Sequence, residues 1–273
     1  MEVDGVRLHY VDRGTGPAIV LLHGNATMVQ DWLSAGIVDA LARTNRVIAF
    51  DRPGFGHSRR PRRTLWTPAA QARLIAKALE QLDVSDATIV GHSFGTLVAA
   101  ELGLGHAHVA RSLVLIGGYY YPSARLDAAV AAPPAVPVIG DVLRYTVSPL
   151  LGAAMKPAME AQIFAPAPVS DGWKDGFPFE MTLRPSQIRA SAAEAALMVP
   201  AAAALAPRLG ALTIPVTIVA GTGDKVVSTQ EQSQRLAAAL PQSELLIVEE
   251  AGHMVHHSAA DAVAMAILAA ARA

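Results

Sequence analysis

The 273-residue sequence contains no cysteine. Disulfides, thiolate metal sites and cysteine nucleophiles are therefore excluded. Charge is also scarce: 16% of residues are Asp, Glu, Lys or Arg, against 52% hydrophobic. That balance excludes a disordered chain and calls for a large buried core. Twenty-two basic residues face 23 acidic ones, for a net charge of -1. There is no basic excess to neutralise a nucleic-acid backbone, so no nucleic-acid partner is expected. No apolar run reaches the roughly 18 to 20 residues of a membrane span, so no membrane partner is expected either. Residues 1–10 show neither the basic nor the apolar segment of a secretory signal, which makes a cytoplasmic location the expectation.

What is present is alternation. Short runs rich in Val, Ile and Leu occupy residues 18–22, 46–50, 87–90, 112–116, 216–220 and 245–248. None alternates polar with apolar, as expected of parallel strands covered by helices on both faces. Between them, residues 69–82, 94–104, 230–240 and 259–271 carry apolar residues at spacings of three and four, a helical pattern. Residues 6–11 do alternate, and read as an antiparallel edge strand. The β-α-β order predicts an open, mostly parallel sheet.

The alternation stops over residues 119–200, which hold eleven of the 18 prolines. Short helices broken by prolines are expected there. Residues 1–118 and 201–273 then form the core, with 119–200 inserted between two of its strands. Such an insertion lies over the C-terminal strand ends, where open α/β sheets bind ligands.

The chemistry centres on Gly91-His92-Ser93-Phe94-Gly95. It joins a strand pattern to a helix pattern. A serine on so tight a turn projects outward, and glycine is needed two residues to either side. The helix start beyond it offers free N–H groups to a developing negative charge. A serine hydroxyl needs a base, and the base an orienting acid. Asp224 follows the strand at 216–220, and His253 follows the strand at 245–248. All three candidates thus follow strand ends on one edge of the sheet, in the order Ser, Asp, His. Asp51, also at a strand end, is expected to brace the Pro53-Gly54 loop. His256 and His257 are expected at the surface or at a helix start rather than on a metal, because no carboxylate cluster accompanies them in sequence.

With these blocks and two more, His23-Gly24-Asn25 and Asp51-Arg52-Pro53-Gly54-Phe55-Gly56-His57-Ser58, the chain resembles the α/β-hydrolase fold family over nearly its whole length. The second block resembles members with a helical cap. The resemblance implies a mostly parallel eight-stranded sheet with helices on both faces, and a helical cap at 119–200. It implies Ser93 as nucleophile, His253 as base and Asp224 as its orienting acid. Backbone N–H groups of Asn25 and Phe94 would form the oxyanion hole. Trp32, Tyr119 and Met254 are candidate pocket residues. No cofactor and no metal is implied. The expected partner is a small-molecule substrate, taken by a monomer or homodimer.

Related haloalkane dehalogenases and epoxide hydrolases use an Asp nucleophile where this chain has Ser93, which argues against both activities. The expectation is a carboxylic ester hydrolase for a small to medium, mostly apolar substrate, working through an acyl-enzyme. A C–C bond hydrolase, a lactonase or a cofactor-free perhydrolase would use the same three residues. A slow-turnover ligand receptor on this fold is the alternative from another class.

Overall fold

The computed structural model describes residues 1–272, so Ala273, the last residue assigned to the core, lies outside the described residues. The strands are β1 (Glu2–Val3), β2 (Val6–Arg7), β3 (Tyr10–Arg13), β4 (Ala18–Leu22), β5 (Arg46–Phe50), β6 (Ala87–His92), β7 (Ala110–Ile116), β8 (Val216–Gly221) and β9 (Glu244–Val248). The helices of the amino-terminal part are α1 (Val29–Ser34), α2 (Ile37–Leu41), α3 (Pro68–Gln81) and α4 (Phe94–Gly105). Six follow between β7 and β8: α5 (Leu126–Ala131), α6 (Ile139–Tyr145), α7 (Val147–Phe164), α8 (Asp171–Gly176), α9 (Phe179–Thr182) and α10 (Pro185–Leu205). The chain closes with α11 (Arg235–Ala239), α12 (Val255–Ser258) and α13 (Ala260–Ala270).

The main sheet has the order β3-β5-β4-β6-β7-β8-β9. Only β3 is antiparallel to its neighbour. Both faces are covered, which is why the strand runs show no alternation. Val20 and Leu22 of β4 pack with α3, α4 and α10 on one face. Ile19 and Leu21 pack with α1, α2 and α13 on the other. Helix α3 starts where its sequence says it should: Thr67 Oγ1 accepts from Ala70 N at 3.2 Å, and Pro68 fills the first helical position.

Two expectations about the sheet need correction. The sheet holds seven strands rather than eight, and residues 6–11 do not form one edge strand. Asp4 and Gly5 both have positive φ, so they form a tight turn that pairs β1 with β2 in a separate hairpin. Val3 and Val6 of that hairpin pack against the core instead of extending the sheet. Of residues 1–13, only those of β3 join the main sheet, pairing with β5.

The insertion is helical, but its prolines do not all break helices. Pro185 starts α10, whereas Pro157 and Pro200 lie inside α7 and α10. Pro200 is exposed, and the buried residues on either side of it, Met198 and Ala202, pack the helix on past it. The boundary drawn at residue 200 therefore falls inside α10. Helix α10 and the turn after it, residues 185–211, are also long and apolar enough to cross a membrane by length and composition alone. Here Glu194 in mid-helix is fully buried against Arg52, and Ala190, Ala202 and Leu205 are packed, so α10 is a helix of the folded core and insertion.

Strand order places the site. From β4 the chain moves to β5 on one side, then crosses to β6 on the other. The loops after β4 and β6 therefore part at a topological switch point, the ligand crevice of open α/β sheets. Asn25 follows β4 there, and Ser93 follows β6.

Candidate active site

Ser93 sits between β6 and α4 with φ 51° and ψ -119°. That backbone is strained for any residue but glycine, and such strain concentrates at functional sites. Its N–H is held by Ile116 O at 2.9 Å, and its carbonyl by Thr96 Oγ1 at 2.6 Å. The flanking glycines are sterically required. A Cβ on Gly91 would lie 2.5 Å from the carbonyl oxygen of Gly95, and one on Gly95 would lie 2.3 Å from that of Leu22. The loop after β4 presses on the same turn: a Cβ on Gly24 would lie 3.1 Å from Ser93 Cβ. Ser93 is partly exposed.

His253 Nδ1 donates to Asp224 Oδ2 at 2.8 Å, with both side chains nearly sealed from solvent. Asp224 Oδ1 also accepts from the N–H groups of Val226 and Val227, at 2.8 and 2.9 Å. Burial opposes ionisation of Asp224. The attraction and hydrogen bond of His253, with those two N–H groups, outweigh it and hold the carboxyl below its usual range. A proton on Nδ1 leaves Nε2 as the basic nitrogen. The imidazole packs near the end of β7, where a Cβ on Gly117 would lie 3.5 Å from Nδ1. His92, next to Ser93, touches the same loop: its Nε2 lies 3.1 Å from His253 O, with ring centroids 5.0 Å apart. Among the described residues, no hydrogen bond joins Ser93 Oγ to His253. Nor do the backbone N–H groups of Asn25 and Phe94 donate to any protein acceptor.

The other predicted residues fall differently. Trp32 does not line an open wall. It is fully buried, its ring 4.9 Å from that of His256, because α1 packs face-down on the sheet. Tyr119 is 3% exposed, and its hydroxyl accepts from Ser123 N at 2.7 Å, capping its own loop. Met254 is 2% exposed and packs with Met28, Phe164, Trp173, Phe177 and Phe179, so the insertion grips the His253 loop. Met254 N donates to Ile163 O at 3.1 Å. Asp51 braces its loop as expected, accepting from the N–H groups of Val29 and His57 and bonding His9 Nδ1 at 2.7 Å.

Two buried networks are not visible in the sequence. Arg52 is fully buried. It donates to the carbonyls of His23 and Gly24, to Gln71 Oε1, and through both terminal nitrogens to Glu194. It thereby ties the Asn25 loop to α3 and α10. Asn25 adds to the tie, its Nδ2 donating to Ser191 O at 3.2 Å. In the second network Asp31 Oδ1 meets His256 Nε2 at 2.9 Å and His257 Nε2 at 2.8 Å. Both histidines are buried at the start of α12, not at the surface, and Asp31 is a carboxylate partner 225 residues away in sequence. The three groups bring ligand-capable atoms within 4.8 Å of one another. Two hydrogen bonds join the three groups and anchor the helix just after His253, while Asp31 Oδ2 and His256 Nδ1 have no hydrogen-bond partner among the described residues.

The buried histidines predict a pH response. His23 is pushed down to about 3, chiefly by burial and then by the charge of Arg52. Burial, then the charges of His256 and His253, push His92 well below its usual value. Both folded values lie below the unfolded value of 6.5. As pH falls below that, the unfolded chain takes up protons first. Stability is full above pH 6.5 and is lost below it, for His23 down to about pH 3. His23 alone sets a slope of about 1.4 kcal/mol per pH unit. Urea unfolding at pH 7.5, 6 and 5 measures it, and a flat profile would show that these histidines are not buried in neutral form.

A family model described as the alpha/beta hydrolase fold matches residues 17–260. A 119-residue stretch is 37% identical to the 2-hydroxymuconate semialdehyde hydrolase of Pseudomonas sp. (strain CF600), covering 41% of this chain and 40% of that one. Haloalkane dehalogenase 2 of Mycobacterium tuberculosis (strain ATCC 25618 / H37Rv) is 28% identical over 271 residues, covering 96% and 90%. Among solved structures, the enol-lactonase from Burkholderia xenovorans LB400 superposes with a TM-score of 0.80 at 21% identity, covering 99% of this chain and 98% of that one. At that identity the likeness shows the fold.

Proposed function

Given that this chain belongs to the alpha/beta hydrolase fold family, we propose that it hydrolyses carboxylic esters of small to medium, mostly apolar acids or alcohols. The observation that carries this reading is the His253–Asp224 hydrogen bond, set beside a strained serine at the switch point of the sheet. Ser93 Oγ attacks the acyl carbon while His253 Nε2 takes its proton. Asp224 keeps the proton on Nδ1 and stabilises the imidazolium. The unpaired N–H groups of Asn25 and Phe94 receive the oxyanion, aided by the start of α4. His253 then protonates the leaving alcohol, and water repeats the sequence on the acyl-enzyme. The Ser93–His253 hydrogen bond closes as substrate binds, which is common for catalytic contacts that are open in a free enzyme.

The helical insertion acts as the cap. It reaches the Asn25 loop through Ser191 and the His253 loop through Ile163, so it roofs both halves of the site. A second reading, C–C bond hydrolysis with the same residues, is favoured by the stretch similar to 2-hydroxymuconate semialdehyde hydrolase.

A panel of short-chain nitrophenyl esters, lactones and a vinylogous 1,5-diketone acid separates the two. Esters turned over repeatedly and faster than the diketone uphold the first reading. Turnover of the diketone alone replaces it with the second. A single slow turnover on every substrate would sink both and point to a receptor.

A further inference from the structure

A cavity of about 520 Å³ opens between the loop after β5 and the start of α10, away from Ser93. Its cationic lining is Arg7, Arg59, Arg60, Arg184 and Arg189, joined by His57, and no acidic residue lines it. Five guanidinium groups around one hollow contrast with a chain whose net charge is -1. Three of them, on Arg7, Arg59 and Arg184, are exposed and make no ion pair or hydrogen bond among the described residues. The other two are fixed in place. Arg60 donates to Pro53 O at 2.8 Å and lies 3.7 Å from Glu194, which is already engaged by Arg52. Arg189 donates to Arg60 O at 2.6 Å.

The arrangement concentrates positive charge on one face of the fold. Like charges repel across a small, partly buried space. Burial lowers the Arg60 guanidinium to about 10; Glu194 acts the other way, and Arg52, behind the cavity, and Arg189, on its wall, add to the lowering. Arg184 also sits at the N-terminal end of α10, a 21-residue helix, where the helix dipole disfavours a cation. The same end favours an anion, and the N–H of Ser186, which lines the cavity, has no protein acceptor among the described residues. One occupant relieves all of these together.

We propose that this cavity binds a phosphate-bearing small molecule, through Arg7, Arg59 and Arg184 closing on it from three separate segments. A single carboxylate would offset one guanidinium, whereas a di- or polyphosphate group offsets several through bidentate contacts. The volume lies in the range of small-ligand sites. The cavity also lies along the helix that roofs the active site. Seven residues separate Arg184 from Ser191, whose carbonyl holds Asn25, a span of about 10 Å of helix. The phosphate can thus belong to a remote part of the substrate or to a separate effector.

Pyrophosphate titration by calorimetry at low salt tests the site. It uses Ser93→Ala protein, so the result does not depend on the proposed hydrolysis. One-to-one binding is expected, weakened about a hundredfold by Arg59→Ala with Arg184→Ala, since two charge-assisted contacts are lost. The paired control Arg43→Ala with Arg272→Ala removes the same charge from exposed positions outside the cavity and should leave affinity within about twofold of its starting value. No pyrophosphate binding, or equal losses in the two double variants, would overturn the site. Once binding holds, turnover by the unmutated enzyme identifies the source. Pyrophosphate that inhibits hydrolysis of a phosphate-bearing ester but not of a neutral ester assigns the cavity to the substrate. Equal effects on both assign it to an effector.

Discussion

Ser93→Ala will lose ester turnover by about 10⁶-fold while the protein keeps its fold and stability. The size of the loss follows from the proposed role: as nucleophile, Ser93 without Oγ would form no acyl-enzyme, leaving only binding and the proposed oxyanion donors. The preserved stability follows from the structure. Ser93 Oγ makes no hydrogen bond among the described residues, so its removal strands no buried partner, and the change should stay within about 0.5 kcal/mol. A companion variant separates function from strain. Ser93→Gly should be equally inactive yet more stable, because glycine adopts φ 51° and ψ -119° without the cost of about 1 to 3 kcal/mol borne by serine. Turnover, phosphonate labelling and thermal unfolding of the three proteins decide the matter. Ester turnover in Ser93→Ala above a hundredth of the original rate, or labelling that persists, would show a different nucleophile. His253→Gln should lose most activity as well, with Asp224 left unpaired.

The second large effect is on stability. Glu194→Ala should destabilise the protein by about 3 to 5 kcal/mol, the usual cost of stranding a buried charge. Arg52 is fully buried and holds both Glu194 oxygens, at 2.5 and 2.9 Å. Gln71 Nε2 donates to the same carboxylate at 2.9 Å, and Arg60 stands 3.7 Å away. Removing Glu194 therefore leaves two neighbouring guanidinium groups facing each other with no anion between them. At this chain length the unfolding temperature should fall by about 10 °C. Activity should fall too, because Arg52 positions the carbonyls of His23 and Gly24 and so the Asn25 N–H. A loss under about 1 kcal/mol in denaturant unfolding would show that the pair is not what ties α10 to the sheet.

These two variants differ in how visible their residues were. Ser93 stands in a motif of five consecutive residues, in which Gly91 answers a contact that the turn itself creates and Gly95 answers the Leu22 carbonyl of β4. Asp224 and His253 were legible because each follows a strand whose Val, Ile and Leu run has no alternation. Glu194 carries no such mark. It sits among alanines in the insertion, and its partner Arg52 is 142 residues away. Asp31 was equally silent, with His256 and His257 more than 220 residues downstream. The burial of Trp32 was unreadable for a related reason: its position next to the Asn25 block is local, but the direction in which α1 faces is set by the sheet beneath it. The Asp4-Gly5 turn was local and readable, yet only strand pairing shows whether a hairpin joins the main sheet or folds on itself.

The sequence by itself determined the layered architecture, the six parallel strands of the main sheet, and the positions of Ser93, Asp224 and His253 at strand ends. Each of these depends on periodicity or on steric demands within a few residues. The tertiary structure alone decided which polar groups meet in the interior, where the insertion joins the core, and how the arginines gather into one hollow. Those are pairings between distant segments, and a buried charge selects its partner through the geometry of the whole chain rather than through its neighbours in sequence.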